Sequence, residues 1–141
     1  MFIRNCYVTN SSSTSFIFYG VEHGENNYDR AISHLRNIGE LDFDRSYEDY
    51  EMMDILERFF AKNNPGLSAH FEYESKSFQI YPNSSYLSLY ECGVDNLPVN
   101  KLLGLIGKHE KEWDAKIEKA EGSLGVTNKK PGWKIAIYIE R

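Results

Sequence analysis

Imidazole and thiol groups are the side chains here with the widest chemical reach: His23, His34, His70 and His109, with Cys6 and Cys92. They serve as general bases, nucleophiles and metal ligands, but each role demands a spacing that brings partners together. No such spacing occurs. The histidines fall in different expected elements and never at i, i+4, and the cysteines form no C-x-x-C pair, so one disulfide at most is available and free thiols are expected. The glycines never compose a phosphate-cradling G-x-x-x-x-G-K or G-x-G-x-x-G loop. No catalytic residue, metal ligand or cofactor is therefore expected. The enzyme alternative is a site assembled from distant residues: His23, His70, Glu72 and Cys92.

Carboxylates are the more conspicuous group. Residues 40–58 hold eight acids against Arg45 and Arg58, a net charge of -6 interleaved with aromatic rings. The plainest reading is a solvated loop and helix face, where charge serves solubility and capping. The leading functional reading is a docking surface for a basic protein partner. Phe43, Tyr47 and Tyr50 would anchor it, while Asp42, Asp44, Glu48 and Asp49 steer the encounter. Cation binding or carboxylate catalysis ranks third, because Asp42-Phe43-Asp44 lacks the glycine and the bidentate glutamate of a calcium loop.

The 141 residues fit one domain, and 41% hydrophobic with 26% charged residues is ordinary for a globular chain. Aromatic content, 14%, is the deviation. Tyrosine and phenylalanine fill the cores and edges of small sheet domains, and they also serve recognition surfaces. The formal charge of -5 disfavours nucleic acid, whose phosphates are bound through Lys and Arg clusters. Charge is also uneven: residues 1–75 carry 13 acids against 6 bases, and residues 76–141 carry 8 acids against 10 bases. With no signal-like apolar segment and no stretch of membrane-helix length, a cytosolic protein without a membrane partner is expected.

Any site must be positioned by a frame, and the frame starts at Ser15-Phe16-Ile17-Phe18-Tyr19-Gly20-Val21. Both alternating faces of this run are apolar, which marks a central strand buried on two sides. Helical spacing of Tyr28, Ala31, Ile32, Leu35 and Ile38 predicts a helix over about 28–38, with Asn27 as its N-cap and Gly39 at its end. A second helix is expected from about residue 47 to Lys62, entered through a Ser46–Asp49 capping arrangement and stopped by Asn63-Asn64-Pro65-Gly66. Period-two alternation from Leu67, then Phe78–Tyr81 and Tyr86–Cys92, predicts a three-stranded antiparallel meander. Pro98 opens the longest helix, to about Glu121, with Gly104 and Gly107 as candidate bend points, and Trp133–Ile139 is the last strand.

Ahead of the central strand stands the polar run Asn10-Ser11-Ser12-Ser13-Thr14-Ser15, continuing to Phe16 and Phe18-Tyr19-Gly20. This opening resembles a loosely defined set of small uncharacterised phage and bacterial proteins, which begin with a Val-Ser-Asn-polyserine-Phe segment and often run on to Tyr-Gly. Here Val8-Thr9-Asn10 stands where Val-Ser-Asn is usual, and Thr14 interrupts the serines. The likeness covers about the first 20 residues. It implies a phage or mobile-element context, with the host cytoplasm as location, and it carries no functional residues over.

The expected fold is a single α+β domain over residues 1–141, with residues 1–14 as an arm or edge strand. A mixed or mostly antiparallel sheet of about five strands, in the order β-α-α-β-β-β-α-β, carries three helices on one face. The other face is left partly open, with room for a homodimer. The leading functional expectation is a non-enzymatic accessory protein, phage-related, that binds a macromolecular partner through its acidic aromatic surface. A small enzyme and a virion structural component are the alternatives.

Overall fold

A computed structural model describes residues 13–88 and 99–139. The elements run β1 (Ser13–His23), α1 (Glu25–Asn37), α2 (Asp49–Asn63), β2 (Leu67–Glu72), β3 (Ser77–Pro82), a 3-10 turn at Asn83–Ser85, β4 (Leu87–Ser88), α3 (Val99–Leu124) and β5 (Gly132–Ile139). This is the expected α+β order, in a five-stranded sheet whose pairings are all antiparallel.

β1 is the central strand, as its two apolar faces require. Along one flank it pairs with β5 from Ser13↔Ile139 to Gly20↔Gly132. Its other flank takes β3 at Val21↔Ile80 to His23↔Phe78 and β4 at Phe16↔Ser88 and Ile17↔Leu87. The expected meander is corrected here, because β4 pairs with β1 and not with β3. The cause is the turn at 83–85, which lifts the chain off the ladder beside Tyr19. Ser85 fills the gap: its hydroxyl accepts the Tyr19 N–H at 3.1 Å and donates to the Pro82 carbonyl at 2.8 Å. At the same place Gly20 is obligatory, since a Cβ there would lie 2.0 Å from the Ile80 carbonyl oxygen.

The helices pack on one sheet face, and the core between them is continuous. Tyr28, Ala31 and Leu35 of α1, Leu56 and Phe60 of α2, and Trp113, Ile117, Ala120 and Leu124 of α3 close over Tyr19, Val21, Leu67, Phe71, Phe78 and Ile80. Alternation sends Phe18 to the opposite face, where it is fully buried against Tyr81 and Tyr86, with ring centroids 5.1 and 6.5 Å away.

Two helix starts differ from expectation. α1 begins at Glu25 with Gly24 as its N-cap, so Asn27 sits inside the first turn, buried and committed to a tertiary contact. α2 begins at Asp49 behind Glu48, and Ser46 makes no cap bond. Both helices end as expected, with Gly39 and Gly66 taking the positive φ values that the exits require, 86° and 85°. α3 continues as helix through Gly104 and Gly107 to Leu124, where Gly125 at φ 71° turns the chain out.

Candidate functional site

The acidic segment divides between a loop of 11 residues, 38–48, and the N-terminal part of α2, the loop being pinned near its start by the buried Leu41. Within it Tyr47 is half-buried, and its hydroxyl accepts the Asp42 N–H at 3.0 Å. Arg45 lies over the Tyr47 ring, 4.6 Å from its centroid, and its guanidinium holds Glu51 at 2.9 Å. One ring thus ties the start of the loop to its end. Phe43 and Tyr50 face solvent, 65% and 70% exposed. Asp42, Asp44, Glu48 and Asp49 are all exposed around them. Of the three rings that the sequence offers as anchors, Tyr47 therefore serves as an internal brace, and two face solvent.

The distant set His23, His70, Glu72 and Cys92 is not assembled. His23 lies in register with Phe78 and Phe71, on the helix-covered face, whereas His70 is in register with Gln79 and Glu22, on the other. His70 stands 3.7 Å from Glu72 and 3.8 Å from Glu57. Cys92, like Cys6, lies outside the described residues.

What the sequence does not announce is the setting of His23. The ring is fully buried, stacked 4.9 Å from Phe78, and its Nε2 lies 2.7 Å from Glu121 Oε2, itself 1% exposed. Asn27 Nδ2 donates to Nδ1 at 2.8 Å, so the ring hydrogen sits on Nε2 and points at the carboxylate. Glu121 Oε2 also accepts the Lys129 N–H at 3.0 Å, and Asn27 Oδ1 accepts from Thr127. Lys129 Nζ donates in turn to the Glu22 carbonyl at 2.9 Å. The network buckles β1, α1, α3 and the α3–β5 loop together. A signal was present: Glu121 falls four residues after Ile117 and three before Leu124, on the apolar stripe of α3. A carboxylate on a buried stripe requires a partner.

Three titratable groups are perturbed. Burial, then a 2.7 Å hydrogen bond to Asp114, pushes the Tyr19 phenol well up from its ordinary value, and burial does the same to Tyr28. Beside Trp113, His109 stacks at 5.4 Å, and Glu112 holds Lys116 at 3.0 Å on the rim of an open groove of about 310 Å³. The Lys116 hydrogen bond draws the Glu112 carboxyl below the usual range.

Among the described residues no group of three or more His, Cys, Asp or Glu is placed to hold a metal ion, and no helix is long and apolar enough to cross a membrane. No protein-family model, curated protein or solved structure matches the chain.

Proposed function

We propose that this protein is a non-enzymatic accessory factor, phage-related, that binds a basic protein partner through the loop bearing Asp42, Phe43, Asp44, Tyr47 and Glu48 together with Asp49 and Tyr50 of the first turn of α2. The observation that carries this reading is the pair of outward rings, Phe43 and Tyr50, framed by four exposed carboxylates. Exposed aromatics supply contact area at low entropic cost, and like charge around them draws a basic surface in and repels acidic ones. The brace through Tyr47 and Arg45 lowers the ordering cost of the loop before a partner arrives.

Charge reversal at Asp42, Asp44, Glu48 and Asp49 tests the reading by affinity capture from the lysate of the host. Loss of the captured protein is the expected result. Undiminished capture sinks the proposal.

A further inference from the structure

Among the described residues β2 has β3 on one side only, and its other side is a strand edge. The parity of that edge is set by two contacts. The Asn83 N–H reaches the Gly66 carbonyl at 3.0 Å, so even-numbered residues of β2 turn their backbone groups toward β3. The odd ones, Leu67, Ala69 and Phe71, turn theirs outward. The Leu67 N–H closes its own turn onto Asn64, and the Phe71 N–H is taken at 3.3 Å by the Glu57 side chain of α2. Neither the amide nor the carbonyl of Ala69 has a partner among the described residues. Glu57 is therefore an acceptor standing where the carbonyl of a neighbouring strand would stand, on a carboxylate that is itself 39% exposed.

We propose that the outer edge of β2 takes an extended basic peptide as an added strand. The backbone supplies the amide of Ala69 and, once Glu57 swings aside, that of Phe71, with outward carbonyls alternating between them. Charge selects the occupant. Glu57, Glu72 and Glu74 flank the edge, while the nearest bases are engaged: His70 between Glu57 and Glu72 at 3.8 and 3.7 Å, Arg58 by Asp54 at 2.6 Å and Lys76 beside Glu25 at 3.8 Å. A displaced Glu57 finds a new partner in a lysine of the incoming strand. The same acids disfavour a second copy, because two like edges would bring carboxylates together.

This inference rests on the edge and not on the loop, and the two fail separately. The probe is a short end-blocked peptide alternating lysine and valine, titrated into the full chain while backbone amide resonances are followed. Expected are shifts centred on Ala69 and Phe71. Ala69→Pro removes an outward N–H at a position where an edge strand tolerates proline, and it should weaken binding roughly tenfold with the circular dichroism unchanged. A second probe of equal charge with proline at alternate positions cannot form a ladder and should not bind the wild-type chain, which keeps the test independent of how the variant folds. Equal binding of both peptides, shifts away from β2, or self-association of the chain without peptide capture overturns the proposal.

Discussion

His23 Nε2 and Glu121 Oε2 meet at 2.7 Å inside the core, and each is the other's means of being there. Removing His23 leaves the buried Glu121 carboxylate with the Lys129 N–H, and removing Glu121 leaves the buried ring with Asn27. His23→Ala and Glu121→Ala are each expected to cost roughly 3–5 kcal/mol in denaturant unfolding. Joint replacement by leucine should cost clearly less than the two single losses added, because neither member of the pair is left buried without the other. Single losses under about 1 kcal/mol would show that the contact carries little weight.

Glycines separate into two groups with opposite signs. Gly20→Ala drives a methyl into the Ile80 carbonyl, and Gly125→Ala meets both a positive φ and the His34 ring at 2.8 Å. The first should prevent folding or lower the melting temperature severely. The second should cost at least about 1 kcal/mol. Gly104 and Gly107 lie in α3 with nothing within 4 Å of where an added methyl would sit, so alanine there should stabilise by about 0.5–1 kcal/mol each. Calorimetry of the four variants reads the contrast directly.

Alkaline pH should unfold the protein through its buried phenols. Tyr19 and Tyr28 are held above their ordinary value of 10.0 in the folded state, so the folded chain keeps protons that the unfolded chain releases. Their contribution is constant below that pH and is lost progressively above it, since the unfolded state then binds fewer protons. Tyr19→Phe should flatten the alkaline loss while costing about 1 kcal/mol at neutral pH for the Asp114 hydrogen bond. Denaturant midpoints across the alkaline range, set beside tyrosinate absorbance, provide the measurement. An unchanged alkaline slope in the variant contradicts the assignment.

Loop order depends on one hydroxyl. Tyr47→Phe removes the acceptor of the Asp42 N–H, and exchange of that amide should quicken while global stability moves by less than about 0.5 kcal/mol. Partner capture should weaken through ordering cost alone, since every charge and both exposed rings remain. An amide exchanging at its original rate would mean that the brace lies elsewhere.

Much of the frame was legible from pattern. The run from Ser15 to Val21 announced a strand buried on both faces, and Phe18 and Tyr19 are indeed packed on opposite sides of the sheet. Spacing of Tyr28, Ala31 and Leu35, and of Leu56 and Phe60, marked the buried stripes of α1 and α2. Local chemistry misled where a tertiary partner outbid it. Asn27 has the type and place of an N-cap, yet the His23 ring and Thr127 claim it from three residues inside the turn that Gly24 begins. The meander failed for a similar reason: alternation through Tyr86–Cys92 gives strand character but not the neighbour, and the turn at Asn83–Ser85 hands that neighbour from β3 to β1. In the acidic loop the residue types were legible, but which ring turns inward was decided by a backbone amide at Asp42 that no side-chain pattern records.

The union of β1 with β5 joins residues far apart in sequence, from Ser13↔Ile139 to Gly20↔Gly132. During synthesis on a ribosome, β1 must therefore wait, one side bare, until β5 has been translated. Its apolar side chains pass that interval exposed to whatever chaperone or wrong neighbour comes first.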